Sequence, residues 1–500
     1  MHTPSPAPSS SLPRIIQGGM GVGVSHWRLA NAVARLGQLG VVSGTAVDTL
    51  LVRRLQDGDE GGHMRRAMAR FPIPGVAEEA LRRWFLPEGR APGTPYRMLP
   101  MYRQGSGRSR DLITMLGNFV EVWLAKEGHD GPVGVNLLTK VQLPNPAALY
   151  GAMLAGVDYV LMGAGIPREI PGLLDAFADG RAASLRLEVD EMPAGREERI
   201  GLDPADYWSG GPPKLRRPSF LAIISSNSLA TMLSRKATGR VDGFVIEGPT
   251  AGGHNAPPRG SAQSGPQLNE RGEPVYGERD AVDLAKMREL GVPFWLAGGS
   301  GRAGALRYAL SEGAAGIQVG TLFAYADESG IAERYRRSIL TSAARGEVDV
   351  FTDPQASPTG YPFKVVRWAG DPAPAAAETR KRICDIGGLR TPYARPDGKI
   401  GYRCPAEPVA DYVKKGGKVE DTVGRRCLCN ALMADVGHAQ VREEGEEPPL
   451  LTSGDDLMTI GAFLAGRTSY TADDVLDYLC EDTEGEAAVA ACAISASSSR

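Results

Sequence analysis

Between residues 14 and 323, short apolar runs, several of them ended or followed by glycine, recur along the chain. They cover 14–17, 40–44, 133–138, 159–163, 220–225, 243–246, 293–299 and 316–323. Runs of four to eight residues without polar alternation read as strands buried on both faces, which is the signature of a parallel sheet. Helical periodicity fills the gaps. Ser25 caps a predicted helix in which Leu29, Ala30, Val33 and Leu36 share one face, and Gly37 stops it. Asn145 caps another, with Pro146 in its first turn, and Ser226 or Asn227 a third. A helix over 281–290 ends at Gly291. Strand, helix and strand fit within about thirty residues, the size of a βαβ unit. Eight strands, near 14, 40, 133, 158, 221, 243, 294 and 317, predict an α/β fold: a (β/α)8 TIM barrel.

Departures from the repeat set the domain plan. Residues 49–128 are helical and charged, and longer than one barrel connection needs. They read as an inserted helical cap, or equally as surface helices packed outside the barrel. Residues 180–211 hold an extra extended run at 184–189. The polar loop 255–279, rich in Gly and Pro, has the length of a lid or binding loop. Alternation stops near Phe351, and 371–377 is a Pro/Ala linker. The expected organisation is a disordered lead-in at 1–12 and a barrel at 13–350. A smaller Cys-containing C-terminal region follows at 351–481, with a flexible tail at 482–500.

Composition narrows the class. At 500 residues, 42% hydrophobic and 23% charged, the chain reads as a soluble globular protein with room for a barrel and more. A formal net charge of −3 gives no general field for nucleic acid or an anionic membrane. Apolar runs fall short of the roughly 20 residues that a membrane span needs. The lead-in lacks an apolar core and a basic cluster, so no signal peptide is read and a cytoplasmic location is the default. Six cysteines in so long a chain do not form a secreted disulfide scaffold.

Candidate chemistry gathers at the ends of the predicted strands, where such barrels keep their active sites. After 243–246 comes Gly248-Pro249-Thr250-Ala251-Gly252-Gly253-His254, in which glycines allow close approach to a flat ligand and one imidazole follows. The nearly bare segments Ala297-Gly298-Gly299-Ser300-Gly301 and Gln318-Val319-Gly320-Thr321 fall after strands seven and eight. Barrels often seat a phosphate there, although glycine also serves tight packing. Asn136 ends the third strand with an amide that could read a ring edge or hold a loop. His26 lies near the first strand loop, but within a predicted first helical turn. Gly18 to Gly23 only loosely resembles a dinucleotide fingerprint, and no acidic residue ends the next strand, so a Rossmann fold is rejected. Cys384, Cys404, Cys427 and Cys429 could hold zinc or an iron–sulfur cluster, although their C-x-C spacing is not that of a zinc ribbon. Free buried thiols are the alternative.

Five segments occur in family order: Gln17-Gly18-Gly19-Met20, Gly134-Val135-Asn136-Leu137, Ala251-Gly252-Gly253-His254, Ala297-Gly298-Gly299 and Gln318-Val319-Gly320-Thr321. Together they resemble the nitronate monooxygenase (2-nitropropane dioxygenase) family, whose superfamily also holds flavin-dependent enoyl reductases. The resemblance implies FMN on the barrel. The backbone of Gln17 to Met20, with Asn136, Gly252 and Gly253, would lie near the flavin, and the two late glycine segments would hold its phosphate. His254 would face the substrate as a base or as a cation. Two departures stand out. Gly18-Gly19-Met20 replaces the common Ala-Pro-Met, and Asn255-Ala256-Pro257-Pro258 follows the histidine, where relatives carry another glycine one residue on.

The implied activity is FMN-dependent oxidation of an alkyl nitronate or related small acid using dioxygen. The alternatives are NAD(P)H-linked reduction of an enoyl thioester and a non-catalytic flavin-binding scaffold. A small-molecule substrate with dioxygen or NAD(P)H is expected, with a homodimer left open.

Overall fold

Strands that must be buried on both faces need a layer of helices outside and a filled bore inside, and the chain supplies both. The computed structural model describes residues 12–260, 265–372 and 380–481. The expected tail and nearly all of the lead-in lie outside the described residues. The barrel strands are β1 (Ile15–Gln17), β2 (Gly40–Ser43), β3 (Val133–Leu138) and β4 (Tyr159–Gly163). An external hairpin, β5 (Ala183–Leu187) and β6 (Glu198–Leu202), interrupts them. The barrel then resumes with β7 (Ser219–Ile224), β8 (Gly243–Glu247), β9 (Phe294–Ala297) and β10 (Gly316–Val319). These form an eight-stranded sheet in the order β1-β10-β9-β8-β7-β4-β3-β2. All pairings are parallel. The chain is a (β/α)8 TIM barrel, with strands at all eight expected places.

The ends of the sheet meet at a thin seam. Ile16 bridges Leu39, the Gln17 N–H donates to Leu39 O at 3.0 Å, and the Leu39 N–H donates to Ile15 O at 3.1 Å. Inside, Ile16, Leu39, Val41, Leu161, Leu221, Val245 and Trp295 pack into one cluster that fills the bore.

Helix α1 (Trp27–Arg35) buries Leu29, Ala30, Val33 and Ala34, but Ser25 does not cap it. The Ser25 hydroxyl instead donates to Gly18 O at 2.7 Å and accepts the Met20 N–H at 2.9 Å, so it folds the first loop. Ser226 does cap its helix, accepting the Leu229 N–H. Between β2 and β3 come α2 (Val47–Gln56), α3 (His63–Met68), α4 (Val76–Trp84) and α5 (Arg108–Ala125). Helix α5 is buried along most of its length and packs on both α1 and helix Asn145–Leu154, the place of a barrel helix. The extra material is therefore α2 to α4 and the loop that follows.

Beyond the barrel, β11 (Val348–Asp353) and β12 (Phe363–Trp368) form an antiparallel hairpin, as do β13 (Thr391–Ala394) and β14 (Ile400–Arg403). Strand β12 leans on the loop after β8: the Lys364 N–H donates to Gly253 O, and the Asn255 N–H to Pro362 O, both at 2.9 Å.

Close approach at the barrel's lower rim yields a stability test. A Cβ on Gly316 would lie 1.9 Å from Arg14 O, which is backbone and cannot swing aside. Gly316→Ala should lower unfolding free energy by about 1–3 kcal/mol in urea titration. Gly277→Ala, where a Cβ meets nothing within 4 Å, should be nearly neutral.

Candidate active site

Side chains alternate along a strand, so each position two residues beyond a bore-filling residue faces the same way. Beyond Val41, Leu161, Leu221 and Val245 these positions are Ser43, Gly163, Ile223 and Glu247, and all four line a cavity of about 500 Å³ at the barrel mouth. That volume is in the range of small-molecule sites. Gly18, Gly19, Met20, Asn136, Gly252, Gly253, His254, Ala297, Gly298, Gly299, Gln318, Gly320 and Thr321 line it too. The side chains of Gln17 and His26 lie elsewhere. Gln17 is fully buried: its Oε1 accepts the Val41 N–H at 2.9 Å and its Nε2 donates to Ser25 Oγ at 2.8 Å, clasping the seam. His26 is buried beside Trp27 and does not line the mouth.

The protein's own atoms show how a flavin would fit. Asn136 Nδ2 donates to Gly19 O at 2.9 Å, which fixes the amide and leaves its buried Oδ1 without a partner. Gln318 Oε1 is also buried and unpartnered. Two acceptors in one mouth call for a ligand with N–H or O–H donors. At the late glycines the backbone is left-handed at Gly298 (φ 88°) and Gly299 (φ 66°). Among the described residues the N–H groups of Gly299 and Gly320 donate to no protein acceptor. Such amides suit a phosphate. The helix after β10, Thr321–Ala324, is one turn long, so the amides more than a helix dipole make this cradle. The Gly301 N–H is already used: it donates to Asp456 Oδ2 at 2.9 Å. These residues fit FMN. A Cβ on Gly298 would also sit 3.0 Å from Thr250 Oγ1, so tight packing is a second reason for that glycine.

His254 is held from outside the barrel. Its Nε2 lies 2.6 Å from Ser357 Oγ, its ring meets Phe363 edge-on at 4.8 Å, and Ser357 Oγ lies 2.8 Å from Thr359 Oγ1. Burial, with Lys140 nearby, brings its pKa down to about 4. Burial therefore favours the neutral imidazole over the cation at physiological pH. Lys140 is the cation here. It sits over the Tyr361 ring at 5.1 Å, lines the mouth, and has no carboxylate partner among the described residues. Glu247, the inward residue at the end of β8, has no hydrogen-bond partner among the described residues, and burial raises its pKa to about 7. Sequence reasoning missed Lys140, Glu247 and Ser357. Glu247 was readable from its two-residue step beyond Val245, whereas Ser357 comes from a distant hairpin with no local signal.

The metal expectation is corrected. Among the described residues no three His, Cys, Asp or Glu side chains gather as a metal group, and Cys384, Cys404, Cys427 and Cys429 are free thiols. Burial holds them protonated, pushing Cys384 up to about 11 and Cys404 up to about 12. No helix among the described residues is long and apolar enough to cross a membrane.

A barrel with this mouth suits an oxidoreductase that carries FMN. The chain resembles the nitronate monooxygenase family, whose model matches residues 213–358. A curated nitronate monooxygenase of Paraburkholderia phytofirmans is 27% identical over 276 residues, 55% of this chain and 71% of the relative. Among solved structures, FabK from Thermotoga maritima matches at 15% identity and TM-score 0.44, over 94% of this chain and 92% of its own. A nitroalkane oxidase from Streptomyces ansochromogenes matches at 17% identity and TM-score 0.44, over 94% and 95%. The enoyl reductase domain of MlnA from Bacillus amyloliquefaciens matches at 12% and 0.45, over 94% and 96%.

Glu247 generates a test of the mouth's electrostatics. Its carboxyl has an ordinary value of 4.5 and a folded value of about 7. Between those values the folded chain holds a proton that the unfolded chain has lost, so this group's contribution to stability falls as pH rises through the window. Glu247→Gln should therefore raise the Tm at pH 8 and change it little at pH 4. Parallel melting curves of both variants across pH 4 to 8 check this, and an equal shift at both ends would contradict it.

Proposed function

We propose that the chain oxidises a small organic anion, an alkyl nitronate or related small acid, with dioxygen as the electron acceptor. The observation that carries this reading is an uncompensated Lys140 beside a neutral, hydroxyl-anchored His254 at the mouth. FMN, when bound, would supply the redox chemistry linking an oxidisable substrate carbon to dioxygen. Asn136 Oδ1 and Gln318 Oε1 would accept from its donors, and the amides of Gly299 and Gly320 would bind its phosphate.

The protein's own groups divide the remaining work. Lys140 draws the anion into the mouth and fixes its charged end, a favourable role where no carboxylate competes. A neutral imidazole can take a proton at its free ring nitrogen, so His254 serves as the base when the substrate arrives as the neutral acid. Ser357 orients the ring for that transfer, and Phe363 and Ile223 exclude water from one side. At neutral pH Glu247 is divided between its acid and carboxylate forms. It is the group in the mouth able to exchange a proton over the physiological range.

The two roles predict different kinetic losses. His254→Ala should keep FMN and lower kcat/KM for a neutral nitroalkane by roughly 10²–10⁴-fold, with a much smaller effect on the preformed nitronate. Lys140→Met should raise KM for the nitronate and leave kcat nearly unchanged, the pattern of lost uniform binding. Oxygen uptake with both substrate forms, against NADPH oxidation with and without an enoyl thioester, tests the reading. Turnover confined to NADPH and the thioester would replace it with the reductase alternative.

A further inference from the structure

We propose that a second cleft, beside the mouth, binds the phosphate groups of an elongated phosphorylated small molecule. This cleft, of about 1550 Å³, lies between the loop before α5, the tip of the β5–β6 hairpin and the β13–β14 hairpin. Its lining is strongly basic in a chain whose formal net charge is −3. Arg83, Arg103, Arg390 and Lys414 line it and have no carboxylate partner among the described residues. Every other lining cation sits in an ion pair. Of the two lining carboxylates, Glu191 is paired with Arg403, which leaves Asp411 to oppose four free cations. Unpaired like charges brought into one concave surface repel each other, and a polyanion relieves that repulsion.

Arg390 is the built part of the cleft. It is half-buried, with its Nε donating to Gly387 O at 3.1 Å and its Nη2 to Tyr102 O at 2.6 Å. The guanidinium is stacked 5.1 Å from the centre of the Tyr402 ring. Two carbonyls and an aromatic face fix its plane without neutralising its charge, and its Nη1 has no acceptor among the described residues. A planar fork held this way suits phosphate oxygens better than a flexible ammonium does. A single carboxylate would neutralise one of the four cations, so the matching ligand carries two or more negative charges.

The location gives the cleft its use. Arg390 and Arg110 line both this cleft and the mouth, so the two cavities share a wall. A ligand anchored by its phosphates in the cleft has its other end directed past Arg390 to the mouth. A coenzyme A thioester and a pyridine dinucleotide phosphate share this chemistry. The concave shape and the buried Trp84 and Tyr393 leave no apolar prow for a membrane surface. This inference stands whether or not the mouth takes a nitronate.

The experiment is calorimetric titration of the full chain at low salt, with inorganic pyrophosphate first and succinate as the dicarboxylate control. Arg83→Gln, Arg103→Gln and Lys414→Gln are exposed positions free of ion pairs, and each should weaken pyrophosphate binding by about threefold, with the triple variant near 30-fold. Flavin content should not change, which separates failure here from failure of the FMN reading. Coenzyme A and NADP⁺ then serve as two arms. Tighter binding of either than of pyrophosphate, lost in the triple variant, identifies the source. Equal affinity of succinate and pyrophosphate, or a triple variant that binds like the parent, would overturn the proposal. So would a cleft that takes pyrophosphate but neither longer ligand more tightly.

Discussion

The seam between β1 and β2 is the constraint on which the mouth depends. Every other neighbouring pair in the barrel has a run of registered partners, whereas these two meet through one bridge and two backbone hydrogen bonds. The Gln17 side chain supplies what the backbone does not. Its amide oxygen takes the Val41 N–H, and its amide nitrogen reaches Ser25, whose hydroxyl folds back on Gly18 and Met20. A buried amide that satisfies a strand N–H and a loop hydroxyl at once does the work of a missing ladder rung. The same network sets the path of Gly18 to Met20, and with it the side of the mouth where Gly19 O anchors Asn136.

Electrostatics in the mouth follow from burial more than from pairing. In water a glutamate is charged at neutral pH and a histidine partly so. Here the carboxyl is pushed up to about 7, and the imidazole down to about 4. Both shifts disfavour the charged form, the mark of desolvation. Lys140 keeps its ammonium over an aromatic ring and meets no carboxylate. An incoming anion therefore finds two uncompensated positive charges, Lys140 and Arg390, and two groups able to accept a proton. This supports an acid–base role for His254 and shifts the attraction of the substrate to Lys140, seven positions past the start of β3.

The barrel was legible because its signal is local and repeated. Eight short apolar runs, most of them closed by glycine or a small residue, need no tertiary knowledge to be read as parallel strands. The glycine-bearing ends of β8, β9 and β10 were legible as site segments for the same reason. Gln17 shows the limit. Its place in a family motif pointed to the cofactor, but its side chain lies inside the seam, because a residue's direction depends on strand phase and Ile16 already occupies the bore. The cysteines show another limit. Spacing gave four candidate ligands, whereas the fold buries them as protonated thiols without assembling a metal group.

What the sequence concealed most fully is that the barrel does not complete its own mouth. Ser357 and Phe363 reach His254 from the β11–β12 hairpin. Thr452 accepts the Gly253 N–H at 2.9 Å, the Gly454 N–H donates to Thr321 Oγ1 at 3.1 Å, and Asp456 takes the Gly301 N–H. Each contact falls on a loop that follows a barrel strand, and each joins residues more than 100 positions apart. No pattern with a period of two or 3.6 residues encodes such a pairing. The loops after β8, β9 and β10 are rich in glycine and would be loose alone, since glycine loses the most backbone entropy on ordering. Pinning them from a second region of the chain offsets that cost. It also makes the geometry of His254 and of the phosphate cradle properties of the whole protein, with the C-terminal region acting as their scaffold.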